Sequence, residues 1–204
     1  MSTVSDARAW LVDLDGTLYH AAPVKAAMAL ELVAAGLRVA PLLRRFRAEH
    51  ERVRALDGAG SDPFARQLAG AALALGVEPA TLLGVVDDWM FRRPGKWLRA
   101  ARRRSFLAEL AAFRAAGGRT ALVSDYPARQ KLTALGVGAL FETVVASGEP
   151  GGPRRLKPSP EGVLAAAARL GVRPAECLVI GDREDADGEA ARRAGMRFRR
   201  ISGL

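Results

Sequence analysis

The segment AWLVDLDGTLY, residues 9–19, joins an uninterrupted apolar run to two aspartates that are separated by one residue. Such a run, without polar alternation, is typical of a strand that is buried on both faces in a parallel sheet. The glycine after the second aspartate favours a tight turn at the end of that strand. Because open α/β sheets bind ligands beyond the carboxyl ends of their strands, we predict that Asp13 and Asp15 lie at a ligand site.

The rest of the chain contains further segments of strand and helix pattern. Strands are predicted at residues 9–13, 119–124, 141–147, 177–181 and 198–201. Helices between them are predicted at residues 105–116, 127–135, 160–170 and 184–194. Prolines at several helix starts and glycines just past the helix ends support these bounds. The alternation predicts an α/β fold with a Rossmann-like parallel sheet core and helices on both faces.

Residues 20–104 interrupt this alternation, because they carry almost no β signal over a length far beyond an ordinary crossover. Helices are predicted there at residues 23–35, 41–56, 63–75, 79–91 and 95–104. We therefore predict a core of residues 1–19 and 105–204 and an inserted α-helical domain of residues 20–104. The insertion has 15 basic and 8 acidic residues, so it carries +7 of the net charge of +9.

Composition narrows the class of protein. Half of the 204 residues are hydrophobic and 26% are charged, which is the balance of a globular domain rather than of a disordered chain. The one cysteine, Cys177, excludes a disulfide framework within the chain and agrees with a reducing compartment, so a cytoplasmic location is expected. No stretch reaches the roughly 20 apolar residues that a membrane span needs.

Polar side chains also follow other predicted strands. Ser124 and Asp125 end the second strand and precede a helix, where a hydroxyl and free backbone N–H groups can bind an anion. Lys157 lies in a loop before another helix, and Asp182 follows the fourth strand. In a parallel sheet these groups converge on one edge with the two aspartates of the first strand. Carboxylate oxygens there suit Mg²⁺, and the lysine and serine would offset the charge of a phosphate.

Taken in order, these motifs resemble the haloacid dehalogenase (HAD) superfamily. The matching segments are DLDGTLY from Asp13, the apolar strand that ends at Ser124, LKPSPEG around Lys157, and VIGDREDADGEAARRAGM from Val179 to Met196. Together they cover the whole predicted core. The insertion after the first motif is similar to the α-helical cap that the superfamily places between its first and second motifs.

The resemblance implies a role for each aspartate. Asp13 would be the nucleophile, and Asp15 would be the general acid and base, with its backbone carbonyl in the metal sphere. The cofactor implied is Mg²⁺, with Asp13, Asp15 and Asp182 as its ligands. Asp187 matches a second acid of the last motif and would support the metal site.

The resemblance also implies that Ser124, Asp125 and Lys157 bind the phosphoryl group. The activity implied is that of a Mg²⁺-dependent phosphatase, which hydrolyses a phosphate monoester of a small metabolite through an aspartyl-phosphate intermediate. Asp15 favours this activity, because dehalogenases and phosphonatases have no ester oxygen to protonate and generally lack an acid at this position. A phosphomutase of the same superfamily remains open, since it uses the same residues.

The basic insertion supports an alternative from another class, a non-catalytic module that binds polyanions. Residues 89–106 combine aromatic and basic side chains, which also allows weak association with an anionic surface. Such a module has no need of clustered aspartates, so we expect a small phosphorylated substrate and no specific nucleic acid. Arg92 and Arg93 are expected to attract that substrate, and His50 is expected on a solvated helix face.

Overall fold

The fold is organised around one parallel sheet. The computed structural model describes residues 7–56, 60 and 62–201. The strands are β1 Ala9–Val12, β2 Arg119–Ser124, β3 Thr143–Ala146, β4 Cys177–Gly181 and β5 Arg197–Arg200. All neighbours pair in parallel, in the order β3-β2-β1-β4-β5. This arrangement confirms the predicted α/β fold with a parallel sheet.

Helices fill the connections between these strands. Before β2 they are α1 Ala21–Ala34, α2 Ala40–Ala55, α3 Pro63–Leu75, α4 Pro79–Val86, α5 Gly95–Leu98 and α6 Arg104–Ala115. After β2 they are α7 Arg129–Leu135, α8 Glu161–Leu170 and α9 Glu189–Arg193. π-Helical turns at Asp87–Arg92 and Glu184–Gly188 extend α4 and precede α9. Short 3₁₀ turns lie at Gly138–Leu140 and Pro174–Glu176.

The three central strands of the sheet, β1, β2 and β4, are buried on both faces, as their apolar sequences predict. Val12 of β1 belongs to the same buried cluster as Leu110 of α6 and Leu135 of α7. The preceding residue, Leu11, belongs to a cluster on the opposite face, together with Val163 of α8. Side chains alternate along a strand, so a strand that is apolar at every position needs helices on both faces.

The helices that precede α6 bury a third cluster of their own. It contains Phe46 of α2, Leu82 of α4 and Phe91 of the first π-helical turn. Tyr126, which follows β2, packs against this cluster from the sheet side. The helical region is therefore a packed unit that also contacts the carboxyl edge of the sheet.

Two neighbouring backbone segments join this helical region to the sheet. Tyr19 and Arg102 form an antiparallel bridge, and the His20 N–H donates to the Ala101 carbonyl at 2.8 Å. α5 therefore ends well before the predicted residue 104, because the returning backbone pairs with the outgoing segment instead of forming helical hydrogen bonds. The division of the chain into two domains at residues 20 and 104 stays a prediction.

Two further predicted helices are irregular where the structure places π-helical turns. The helix predicted at 79–91 is regular only as far as Val86, and the helix predicted at 184–194 is regular only from Glu189. In the second turn, the Gly188 N–H donates to the Arg183 carbonyl at 3.2 Å, five residues earlier, which is the hydrogen bond of a π-helix. Such turns often occur at functional sites, and this one follows the fourth strand end directly.

No single helix among the described residues is long and apolar enough to cross a membrane. By length and composition alone, α3 and the segment Pro79–Leu98 together are long and apolar enough to do so, but the chain bends by 114° between them. α3 and α4 both contribute residues to the buried cluster around Phe46.

Candidate active site

A lysine and two aspartates form a buried chain of ion pairs at the carboxyl edge of the sheet. The Lys157 ammonium lies 2.6 Å from Asp13 Oδ1 and 2.6 Å from Asp187 Oδ1. Asp13 directly follows β1, and its N–H donates to the Ile180 carbonyl of β4 at 2.9 Å. Its other carboxylate oxygen accepts a hydrogen bond from the Thr17 hydroxyl at 3.0 Å. Both oxygens of Asp13 are therefore held in place.

Asp182 completes a group of three carboxylates. One oxygen from each of Asp13, Asp182 and Asp187 lies within 4.8 Å of the others. Gly16, with φ of +91°, allows this approach, because a Cβ there would collide with the Asp182 carboxylate. A Cβ at Gly181 would collide with Asp187 in the same way. The glycines of the two motifs are thus required for the carboxylates to meet.

The charge of this group is unbalanced, since three carboxylates lie together and only Asp13 and Asp187 contact an ammonium, that of Lys157. Burial raises the pKa of Asp13 to about 8, an effect that the Lys157 ammonium opposes and the Asp187 carboxylate strengthens. Burial and the Asp187 carboxylate also raise the pKa of Asp182. Burial acts to lower the pKa of Lys157, but its carboxylate partners outweigh burial and raise it. A divalent cation would offset the excess negative charge, and its all-oxygen donor set suits Mg²⁺.

Asp15 makes a separate set of contacts. Its two carboxylate oxygens lie 2.6 and 2.8 Å from the Lys131 ammonium, and it accepts a hydrogen bond from the Tyr19 hydroxyl at 2.5 Å. Burial acts to raise the pKa of Asp15, but Lys131 and Tyr19 outweigh burial and bring the pKa below its ordinary value. The side chain is outside the group of three carboxylates. The carboxylate of Asp15 is thus held by Lys131 and Tyr19 beside, but not within, that group.

The end of β2 contributes Ser124 and Asp125, as predicted from the sequence. Ser124 is buried, and its hydroxyl accepts the Tyr126 N–H at 3.2 Å. The Asp125 carboxylate accepts the Lys157 N–H at 3.0 Å and pairs with Arg54 of α2 at 3.2 Å. The carboxylate of Asp125 therefore connects the lysine loop to the helical region, which gives this side chain a structural role beside the predicted substrate contact.

α2 is attached to this edge of the sheet through His50. The His50 ring stacks on Tyr126 with a centroid distance of 4.3 Å, and it makes hydrogen bonds with Gln67 at 2.9 Å and Arg54 at 3.0 Å. Only 3% of the residue is exposed, and burial lowers its pKa. The predicted solvated position of His50 is wrong, because Tyr126 and Gln67 cover it from other parts of the chain.

Replacing Arg54 by Met is expected to lower the free energy of unfolding by about 1–3 kcal/mol, because it removes a partner of both Asp125 and His50 at a buried contact. The matched control is Arg52→Met on the same helix, whose side chain is 69% exposed. Arg52→Met is expected to change the free energy of unfolding by less than about 1 kcal/mol. Urea titration measures both variants, and equal effects would contradict an attachment through Arg54.

A cavity of about 570 Å³ opens from Asp15 and Asp182 into the helical region. This volume is in the range of small-molecule sites. Its apolar lining comes from α1, α2 and the first π-helical turn, through Val24, Met28, Leu32, Leu43, Trp89 and Met90. The site thus has charged groups on the sheet side, while the helical side combines this apolar surface with the basic residues Lys25, Arg44 and Arg47.

Lys131 and Tyr19 are site residues that the sequence analysis missed. Tyr19 lies within the first motif, but the motif alone does not show that its hydroxyl contacts Asp15. Lys131 lies on α7, far from the first motif in sequence. The one available signal is the scarcity of lysine, since only 4 of the 31 basic residues are lysines.

Two curated proteins of similar sequence are named as phosphatases. Fructose-1-phosphate phosphatase YqaB of Escherichia coli (strain K12) is 33% identical over 148 residues, which span 69% of this chain and 64% of that protein. Glyceraldehyde 3-phosphate phosphatase of Methanopyrus kandleri is 46% identical over 67 residues, which span 33% and 28% of the two chains. The chain therefore covers less than two thirds of the length of either relative.

A solved structure shares the fold of this chain, and a family model shows the family to which the chain belongs. L-2-haloacid dehalogenase from Xanthobacter autotrophicus, with chloropropionic acid covalently bound, shares the fold with a TM-score of 0.67 and 22% identity, over 97% of this chain and 78% of that one. The family model described as haloacid dehalogenase-like hydrolase matches residues 7–195. Because that match covers the sheet through β4 and every site residue described above, the chain belongs to the haloacid dehalogenase-like hydrolase family.

Proposed function

We propose that this chain is a Mg²⁺-dependent phosphatase that hydrolyses a phosphate monoester of a small metabolite through an aspartyl-phosphate intermediate. The observation that carries the proposal is that the two aspartates lie in different surroundings. Asp13 pairs with Lys157 within the carboxylate group, whereas Asp15 lies outside that group. One carboxylate can attack phosphorus while the other transfers protons. The curated relatives, named as phosphatases of fructose-1-phosphate and glyceraldehyde 3-phosphate, support this class of substrate.

The proposed reaction has two halves. In the first, a carboxylate oxygen of Asp13 attacks phosphorus, and the ester oxygen leaves with a proton from Asp15. Asp15 must take up that proton before this step, because Lys131 and Tyr19 lower its pKa in the free protein. In the second, Asp15 takes a proton from the water that attacks the aspartyl phosphate, so phosphate is released and Asp13 is restored. Lys131 and Tyr19 hold the Asp15 carboxylate in one orientation for both transfers. Lys157 offsets the charge of the phosphoryl oxygens beside Asp13.

Asp13 and Asp182 are the proposed side-chain ligands of Mg²⁺, with Asp187 in support and the backbone carbonyl of Asp15 as a further oxygen donor. The fit rests on the three clustered carboxylates and their excess negative charge. When bound, the ion would reduce the repulsion between Asp13 and a phosphate dianion and stabilise charge in the transition state.

In this proposal, residues 20–104 act as an α-helical cap. α1 and α2 line the cavity next to Asp15, and His50 and Arg54 attach α2 to the loop after β2. A cap in this place would exclude water from phosphorus during the first half of the reaction and select the leaving group.

The proposed function is tested by measuring phosphate release from a broad set of phosphate monoesters, with Mg²⁺ and with a chelator. We expect release that requires Mg²⁺ for at least one class of ester. Phosphoryl transfer within a substrate without free phosphate would instead indicate a phosphomutase. Salt-sensitive, metal-independent binding of polyanions without turnover would indicate the basic binding module.

Replacing Asp182 by Ala is expected to raise the Mg²⁺ concentration for half-maximal activity about tenfold or more, because the variant removes one proposed metal carboxylate. The maximal rate at saturating Mg²⁺ should fall less. The control is Asp185→Ala, since Asp185 is 72% exposed and pairs with Arg183. Magnesium titrations of activity measure both variants. An unchanged requirement in Asp182→Ala would contradict the ligand assignment.

A further inference from the structure

Three basic residues that line the cavity have no ion-pair partner within residues 7–56, 60 and 62–201. They are Lys25 of α1 and Arg44 and Arg47 of α2. The other two basic residues of the lining, Lys131 and Arg183, each pair with a carboxylate. The unpaired positive charge of the cavity therefore lies on its helical side, across from the catalytic carboxylates.

The other three arginines of α2, unlike Arg44 and Arg47, form ion pairs with carboxylates. Arg45 and Arg52 pair with the buried Glu49, and Arg54 pairs with two carboxylates. These three are absent from the cavity lining. The two cavity arginines of α2 are three positions apart in sequence, which places them side by side on one helix face.

Arg92 and Arg93, which the sequence analysis expected to attract the substrate, lie elsewhere. Arg92 pairs with a neighbouring aspartate at 3.3 Å, and Arg93 pairs with one carboxylate at 2.6 Å and with a second at 3.6 Å. Neither residue lines the cavity. Their charge is offset locally, so the positive charge available to a bound anion comes from α1 and α2.

We propose that the substrate carries a second anionic group, a carboxylate or a second phosphate, which binds Arg44 and Arg47 with Lys25 opposite them. Adjacent guanidinium groups match the oxygens of either anion. The apolar lining between the two charged sides would contact the carbon skeleton that joins the anions. This inference rests on the proposed phosphatase function and adds the class of substrate to it.

The test uses alkyl phosphates of about 4 to 8 carbons, a range suited to a cavity of this volume, whose far end is a primary amide, a carboxylate or a phosphate. At the best length, we expect kcat/KM to be at least about tenfold higher for an anionic end than for the amide. The comparison between carboxylate and phosphate ends identifies the preferred anion. In the double variant R44Q/R47Q, the ratio of kcat/KM for the anionic ester to kcat/KM for the amide ester is expected to fall to about twofold or less.

The control variant R99Q/R104Q removes the same charge from two exposed residues outside the cavity lining. It should keep the preference for the anionic ester. An unchanged preference in R44Q/R47Q, equal losses on the amide and anionic esters, or no preference in the wild-type protein would overturn the inference.

Binding of the matching phosphonates, measured by calorimetry, separates this inference from the proposed function. Phosphonates cannot be hydrolysed as esters, so their affinity reports the second anion site without turnover. An arginine-dependent preference for anionic phosphonates, in a protein that releases no phosphate, would support the site and contradict the phosphatase. Equal affinity for amide and anionic phosphonates would overturn the site even in an active phosphatase.

Discussion

Replacing Asp13 by Asn is expected to lower kcat for phosphate release by at least about a thousandfold, because an amide of nearly the same shape is a poor nucleophile. The loss should not come from unfolding. The Thr17 hydroxyl, which donates to Asp13 at 3.0 Å, can still donate to the amide oxygen. Release of phosphate at saturating substrate and Mg²⁺ measures the effect.

A control for the charge change is Asp185→Asn, which removes an exposed carboxylate outside the carboxylate group. It should keep activity within about twofold. Thermal unfolding of both variants shows whether they are folded. A folded Asp13→Asn protein that retained a tenth or more of the wild-type rate would exclude Asp13 as the nucleophile.

Replacing Lys157 by Met is expected to lower kcat/KM by about a thousandfold and the free energy of unfolding by about 3 kcal/mol. The kinetic effect follows from loss of the cation that would bind the phosphoryl group. The loss of stability follows because Asp13 and Asp187 each lose an ammonium at 2.6 Å while remaining close together. Steady-state kinetics and urea titration without Mg²⁺ measure the two effects.

Lys96→Met is the matched control, because Lys96 is 56% exposed and pairs with Glu31 at 2.9 Å on the surface. Its free energy of unfolding should change by less than about 1 kcal/mol. If the two lysine variants had the same stability and activity, Lys157 would not be the central cation of the site.

The centre of the sheet could be predicted from the sequence because β1, β2 and β4 are short, nearly continuous apolar runs. β1, β2 and β4 are covered on both faces, so their apolar character does not depend on a partner that the sequence hides. The carboxylates of the proposed active site follow the same strands, and Gly16 and Gly181 lie where a Cβ would collide with a carboxylate. The local sequence pattern was therefore enough to predict that Asp13 and Asp182 lie at the same edge of the sheet.

The contacts between distant segments could not be predicted in this way. Lys131 reaches Asp15 across 116 positions of sequence, and α7 starts at Arg129 rather than at residue 127. Its first turn differs because the Glu149 carboxylate accepts the N–H groups of Ala128 at 2.8 Å and Arg129 at 2.9 Å. A carboxylate supplied by the loop after β3 fixes this helix start, and no residue near α7 indicates it.

The distribution of charge in the helical insertion also depends on contacts between distant segments. The excess charge of +7 follows from the sequence. Which of the basic side chains remain without an ion pair depends on which of them the fold places next to a carboxylate. The structure neutralises Arg92 and Arg93 and leaves Arg44 and Arg47 facing the cavity. Net charge thus indicated an anionic substrate, whereas only the packing of α2 indicated where such a substrate would bind.

Transfer of the phosphoryl group to Asp13 can be observed directly by mass spectrometry. The protein is mixed rapidly with Mg²⁺ and an ester that it hydrolyses, quenched with acid, and digested to peptides. We expect the mass of one phosphoryl group on the peptide that contains Asp13, formed at least as fast as free phosphate and absent from Asp13→Asn. Phosphate release at the full rate with no adduct at any time, or with an adduct on another residue, would contradict catalysis through Asp13.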